Sequence, residues 1–417
     1  MSTVSQVPEI DQDIYVGQDF YVPAFRVRIR GQELLQAEYD VLNVSYTDSD
    51  NEMDSFDLTV NNWDPDGNGP GLGWFKYSDG HLFDPWQEVE LSMGYYNQGN
   101  DQLQVMLVGE IVRMTPNFTE SGASTLTVHC VNLLQRFRTT QITKDYFQQQ
   151  DSYVARDLVQ SIAKDIRQKI PSLDLIVDDQ ELSQNMGTEK PIQHLEVHQQ
   201  YAVNWLYLRS REIGYDIWLD DTTSGTRRQV TFHYAPSKYT LQPTYILSWG
   251  KSLINFQPSC GTANVPDEVI VRYWDPKTKQ KFEGTATRSD LAQQGVIDPL
   301  LDFGMQGGPL AQKTDLVTNL VVQSNDEAQT AALKRMLLHA QGLIECKGKT
   351  VGLPSLRSGN KIRICGLGRY NGLYHITSTT HTMGDGGYTT DFSARMEKDP
   401  TGIPTGAPSS STTGASS

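Results

Sequence analysis

Residues 108–132 read VGEIVRMTPNFTESGASTLTVHCVN. Apolar and polar side chains alternate on both sides of the polar, glycine-bearing TESGA, and a period of two broken by such a turn predicts a β-hairpin. VELSMGYY at 89–96 alternates in the same way just before it, which extends the hairpin into a meander. The order then recurs: IRICGLGRY at 362–370, YNGLYHITSTTH at 370–381, a GDGG turn at 384–387 and YTTDFSAR at 388–395. Gly109 and Gly122 stand thirteen residues apart, Gly372 and Gly386 fourteen. A β unit present twice would give this spacing, and so would two hairpins that converge on the same turn chemistry. Both readings stay open.

Towards the N-terminus, FRVRIRG (25–31), YDVLNVSY (39–46) and SFDLTVNN (55–62) also alternate, with DSDNEMD (48–54) as a turn. Residues 24–135 therefore read as six strands, enough for a closed barrel or a sandwich. The period then changes. SYVARDLVQSIAKDIRQKI (152–170) carries Val154, Leu158, Ile162 and Ile166 at helical spacing with Pro171 as its stop, and YAVNWLYLRSREIGY (201–215) predicts a helix closed by Gly214. YDIWLDD and RQVTFHY flank TTSGT as a hairpin, so a small α/β region spans about 140–240. Strands return with EVIVRYWDPKTKQKFEGTA (268–286), whose DPKTK reads as a tight turn. Residues 286–323, with the glycine-rich DFGMQGGPL, read as a long excursion. Ser324 to Glu327 has the form of a capping box before the helix EAQTAALKRMLLHAQG. Residues 401–417 are a Gly/Ser/Thr/Pro tail that cannot build a core.

The length of 417 residues suits two or three domains, and 38% apolar residues is ordinary globular material. No apolar run is long enough to span a membrane, and the polar, acidic start is not a signal peptide, so synthesis and folding in a cytoplasm are expected. Cys130, Cys260, Cys346 and Cys365 form no CxxC pair, which argues against a zinc ribbon or redox motif and leaves free thiols. Residues 1–110 hold twenty Asp and Glu against four Lys and Arg, while 111–417 hold thirty against thirty-one. Such a surface disfavours stable nucleic-acid binding and favours a basic partner; the plainer reading is a solvated acidic face. Asp48, Asp50, Glu52 and Asp54, in one turn, are the candidate docking residues.

Candidate chemistry is sparse. NWDPDGNGPG (62–71) places Asp64, Asp66, Asn68 and Gly69 as a calcium loop would, but the loop's final bidentate carboxylate falls on Phe75. A long β-hairpin loop needs the same residues. His194 and His198 in HLEVH have the order H-x-E-x-H rather than HExxH and no third ligand, and His375 and His381 share a face of a predicted strand. No GxSxG, P-loop or GxGxxG joins a strand to a helix. The expectation is a protein without catalytic residues, metal or cofactor.

Several phrases, in order, resemble a known family: DSFDLTVNN, FDPWQEVELSMGY, the 108–132 run, REIGYDIWLDD, EVIVRYWDPKTKQKFEGTA and LRSGNKIRICGLGRYNGLYHITSTTHTMGDGGYTTDFSARME, covering most of residues 24–397. The chain resembles the hub proteins of contractile injection systems, the group of phage late control D proteins, myophage baseplate hubs and the hub part of type VI spike proteins. The resemblance implies a mainly β chain with an α/β insertion: an N-terminal arm (1–23), a first tube-like β-barrel (24–139), a small α/β domain (140–244), a second tube-like barrel (245–397) with an excursion at 286–323 and a helix at 325–341, and a C-terminal tail (398–417). It implies a homotrimer whose barrels make a ring of six between a six-fold tail tube and a three-fold spike, touching the tube protein, the spike protein and inner baseplate proteins. Its place would be the baseplate of a phage virion or phage tail-like particle made in a bacterial cytoplasm. Spike repeats and a lysozyme domain, fused in some relatives, do not follow the tail, so a separate spike protein is expected. The alternatives are a tail-associated, carbohydrate-active wall-degrading enzyme, which needs convergent carboxylates in a cleft, and a calcium-dependent adhesin.

Overall fold

The structure is a computed structural model that describes Ile14, Phe20 and residues 22–397, apart from 35–39, 65–73, 98–99, 121–122, 140, 170–172, 222–227, 237–244, 262–265, 277–278, 288, 291–312, 319, 321, 323 and 343. The arm before Phe20 apart from Ile14, the TTSGT turn, DFGMQGGPL and the tail from 398 lie outside the described residues.

The chain opens with β1 (Pro23–Ile29), β2 (Gln32–Glu33), β3 (Val41–Ser49), β4 (Ser55–Asn61), the short pair β5 (Trp63–Asp64) and β6 (Trp74–Phe75), then the meander β7 (Glu88–Asn97), β8 (Asn100–Asn117) and β9 (Thr125–Asn132). It continues through β10 (Gln141–Gln149), α1 (Asp151–Lys169), β11 (Leu173–Val177), α2 (Asp179–Thr188), β12 (Ile192–Tyr201), α3 (Ala202–Ile213), β13 (Asp216–Asp221) and β14 (Arg228–Ala235). The last part holds β15 (Tyr245–Ser248), β16 (Leu253–Cys260), β17 (Glu268–Asp275), β18 (Gln280–Thr287), β19 (Thr314–Val317), α4 (Asn325–Gln341), β20 (Ile344–Val351), β21 (Lys361–Cys365), β22 (Gly372–Gly384) and β23 (Gly387–Glu397).

The molecule is mainly β with an α/β region between two barrel-like β units. Six strands run in the order β1-β7-β8-β9-β4-β3, and six more in the order β15-β21-β22-β23-β20-β16. Counted along the chain, each unit therefore has its first strand beside its fourth, its meander in the middle, and its second strand at the far end. In the first unit, Val27 of β1 and Val44 and Tyr46 of β3 share one cluster with Phe56, Leu91 and Val128, so both ends of the run wrap around a common core. In the second, Leu253, Ile362, Tyr374, Ile376 and Phe392 do the same. The units differ at one pairing: β1 meets β7 antiparallel, whereas β15 meets β21 parallel.

Local chemistry accounts for the helices. Val154, Leu158 and Ile166 of α1 are buried, and the α/β core also takes Leu175 of β11, Leu206 of α3 and Phe232 of β14. Gly214 ends α3 in the left-handed conformation, φ 77°, its N–H donating to Ser210 O. Ser324 Oγ accepts from Glu327 N at 3.1 Å and starts α4. Two features depart from the sequence reading. The 268–287 hairpin does not join the second β unit but pairs with β19 in its own three-stranded sheet under α4, around Val269, Val271, Ala332 and Met336. The excursion thus begins at Glu268 rather than at 286 and occupies the connection between β16 and β20. Second, β10 and β12 pair as an antiparallel ribbon that the polar sequence QITKDYFQQ does not announce.

Candidate functional site at the junction of the β units

The two units meet edge to edge. β22 pairs antiparallel with β3 from Ser378 opposite Ser49 to Gly384 opposite Asn43, fusing both runs into one thirteen-stranded sheet. A polar network sits behind this seam. Arg357 Nε donates to Asp48 Oδ2 at 2.7 Å, and its Nη2 donates to Tyr46 OH at 2.6 Å and to Met106 O at 2.9 Å. Ser358 adds its N–H to Asp48 Oδ2 at 3.2 Å and its hydroxyl to Oδ1. Asp48 is 2% exposed, so this ion pair is out of water and each charge depends on the other. His381, opposite Tyr46 on β22, faces Leu356 O through Nε2 at 2.9 Å and Tyr388 OH through Nδ1 at 3.0 Å. A carbonyl can only accept, so the proton sits on Nε2. Burial first, then the Arg357 cation, push the His381 pKa down to about 3, and the ring is neutral.

This placement corrects the docking candidates. Asp48 belongs to the buried network, and Asp50 Oδ2 lies 3.1 Å from His375 Nε2 across the same seam with its side chain 14% exposed. Glu52 is exposed, its carbonyl accepting from Tyr207 OH at 3.1 Å, and Asp54 is half-buried, its carbonyl accepting from Asn132 N. The four carboxylates do not form one solvated face: Asp48 and Asp50 bind the units to each other.

The α/β region is held to the first unit by further polar contacts, one buried and one exposed. Arg228 of β14 donates to Glu90 of β7, which is 5% exposed and also lies 3.4 Å from Arg28. Arg211 of α3 reaches Asn51 through both Nε and Nη2 at 3.0 Å. Between these contacts lies a cleft of about 360 Å³ lined by Asp54, Met106, Leu219, Asp220, Arg357 and Asn360.

The histidines do not converge. His194 pairs with Asp145 at 3.0 Å and His198 with Glu196 at 3.2 Å, each on its own. Asp64 pairs opposite Trp74 in the β5·β6 ladder, as a hairpin requires, while Asp66, Asn68 and Gly69 lie outside the described residues. One set that could hold a metal went unread in the sequence, because its members are far apart: Asp178, Glu181 and His233. Each already serves the fold. Asp178 caps α2, Glu181 accepts from Tyr234 N at 3.0 Å, and His233 sits between Glu181 at 3.1 Å and Asp220 at 3.5 Å with Trp218 stacked on its face. Through these contacts His233 ties α2 to the β13·β14 hairpin. Among the described residues, no helix is long and apolar enough to cross a membrane.

Comparison with known proteins follows the fold. The chain superposes on the 43 kDa tail protein of prophage MuSo2 from Shewanella oneidensis with a TM-score of 0.58 and 13% identity, covering 89% of this chain and 98% of that one. It superposes on a tail protein from Neisseria meningitidis MC58 with a TM-score of 0.59 and 12% identity, over 90% and 97% of the two chains. A chain of the Francisella PdpA-VgrG complex matches with a TM-score of 0.50 and 10% identity, over 92% of this chain and 59% of that one. At such identities the likeness is one of fold, and the fold is that of tail proteins. No curated protein matches the sequence. The family described as Alg8 N-terminal domain matches over residues 21–385, nearly the whole of the described chain, and the protein belongs to that family.

Proposed function

We propose that the chain is the structural hub of a contractile phage tail or tail-like injection machine, a homotrimeric ring at the baseplate centre between the tail tube and the spike. The observation that carries this reading is the strand order, which occurs twice in one chain. Two like units per chain give three chains six like units, which can face a six-fold tube on one side while the trimer faces a three-fold spike on the other. In this reading residues 24–139 and 245–397 are the ring units and 140–244 the α/β domain between them. The excursion with its helix at 325–341 stands off the second unit, and residues 1–23 and 398–417 are arm and tail. The tail-protein fold of the superposed structures supports a tail role, and the PdpA-VgrG likeness supports a place beside the spike. The ring holds no cofactor and does no chemistry; the wall-degrading alternative predicts clearing of peptidoglycan in a zymogram. Native mass spectrometry should show three copies of the 46.8 kDa chain, at least when tube or spike protein is present. A dimer in the assembled particle, or clearing in the zymogram, overturns the reading.

A further inference from the structure

The two β units match rung by rung. Trp86 N donates to Ile111 O at 2.8 Å and Ile111 N to Gln87 O at 3.0 Å; Gly359 N donates to Ile376 O at 2.8 Å and Ile376 N to Asn360 O at 2.9 Å. Trp86 and Gly359 share the left-handed conformation, at φ 72° and 83°. A bulge follows each isoleucine, between Ile111 and Arg113 and between Ile376 and Ser378. The second strands match too, with bulges at Val41/Asn43 in β3 and Leu253/Asn255 in β16. Residues from Arg113 onward in β8 thus correspond to those from Ser378 onward in β22, and Asn43–Asp48 of β3 to Asn255–Cys260 of β16.

One contact breaks the equivalence. β22 beyond its bulge pairs with β3, whereas among the described residues β8 beyond its bulge pairs with β9 alone, and β16 from Asn255 onward with β20 alone. Asp50 N donates to Thr377 O at 3.1 Å, which makes Thr379 with Asp48, His381 with Tyr46 and Met383 with Val44 the hydrogen-bonded rungs of the seam. All six of those residues are buried. Of their counterparts only Phe256 of β16 is buried. Met114, Pro116 and Phe118 alternate along β8 and its continuation, half-buried, exposed and 57% exposed in turn, and Pro258 and Cys260 of β16 are half-buried. An apolar stripe at strand spacing, on an edge whose equivalent is covered, marks a missing strand.

We propose that the free edge of β8 in one copy pairs antiparallel with β16 of a second copy, repeating between chains the β22·β3 seam made within the chain. The contact deepens the hub reading, on which it rests, by naming how the ring closes. The seam's register transfers directly: Met114 stands opposite the second copy's Cys260, Pro116 opposite its Pro258 and Phe118 opposite its Phe256. Pro116 and Pro258 hold the positions of His381 and Tyr46, whose N–H groups point across the seam, so neither free edge offers a donor there. This blunts both edges against indiscriminate strand addition while the chain is alone. In the pairing they share one unbonded rung, and the rungs on either side carry the ladder. Because the two edges differ, the contact is head to tail, the kind that builds a ring when its rotation closes.

The register supplies its own test, since Cα atoms of a hydrogen-bonded antiparallel pair lie about 5.5 Å apart, within reach of a disulfide. Met114→Cys in the full chain, mildly oxidised, should bridge to native Cys260 of another copy and give a ladder of linked chains. Thr115→Cys, whose side chain faces the other way, should not bridge, and Cys260→Ser should abolish the Met114→Cys ladder. Light scattering on the unmodified protein separates the outcomes. A trimer whose Met114→Cys form does not bridge overturns the edge pairing and leaves the hub; a monomer at every concentration, with no bridge, overturns both.

Discussion

Asp48 ties the two β units together through its buried ion pair with Arg357. Replacing it with Ala would leave the Arg357 guanidinium buried against Tyr46 and Met106 O without a counter-charge, and breaking a buried pair in this way costs about 3–5 kcal/mol. Urea unfolding of Asp48→Ala should show a loss of that size; one below about 1 kcal/mol would mean that water reaches the pair. His381 adds a pH dependence. Its folded pKa is lowered to about 3 from an ordinary 6.5, so below 6.5 the unfolded chain binds a proton that the native chain refuses, and stability falls as pH drops towards 3. At about 1.4 kcal/mol per unit, His381 alone should remove roughly 3 kcal/mol between pH 6.5 and 4, and His381→Gln should flatten that slope. Asp48 also shows where residue-level reading failed and could have succeeded. Four carboxylates in seven residues read as a solvated turn, yet Asp48 shares the strand phase of Val44 and Tyr46, both fully buried, and a strict period of two puts it inside. Its partner could not be read, because Arg357 lies 309 positions away.

Elements were legible wherever a periodic face was buried. The six strands of residues 24–135 and helices α1, α3 and α4 stand where alternation and helical spacing put them, because each packs a stripe of apolar side chains into a core. The β10·β12 ribbon stayed unread for the opposite reason: along Gln141–Gln149 only Tyr146 is buried, so no periodic stripe exists. The repeat was legible as a meander but offset. Gly109 stands opposite Asn132 and Tyr374 opposite Met396, two residues before Ile111 and Ile376, so the counterpart of Gly109 is Tyr374 rather than Gly372. A slip of two keeps every side chain on its face, which is why the pattern still matched. Gly109 has its own reason to be glycine: a Cβ there would stand 2.0 Å from Val131 O, a backbone atom that cannot turn aside. Gly109→Ala should therefore cost more than about 3 kcal/mol or prevent folding, while Gly386→Ala, with nothing within 4 Å, should leave the melting temperature unchanged.

At the scale of the whole molecule the charge is divided as the fold is. The first β unit (24–139) carries ten of the fifteen net negative charges and the N-terminal arm four, while the rest of the chain is close to neutral, so a ring of alternating units would present acidic and neutral sectors in turn. If the acidic sectors meet a basic face of the tube or spike, association should weaken as salt rises, because exposed charges are screened beyond about 10 Å at 0.1 M ionic strength and about 3 Å at 1 M. Which carboxylates to neutralise follows from their burial. Removing Asp48 and Asp50 would damage the seam and confound binding with unfolding, whereas Glu52, Asp79 and Glu120 are exposed in the same β unit. The triple change Glu52→Gln, Asp79→Asn, Glu120→Gln should keep the wild-type melting temperature, slow association with the basic partner and reduce its salt dependence. Stopped-flow association rates at two salt concentrations measure this directly. Rates that match wild type at both would reduce the acidic excess to solvated surface or lumen lining and leave the edges of β8 and β16, rather than charge, to specify assembly.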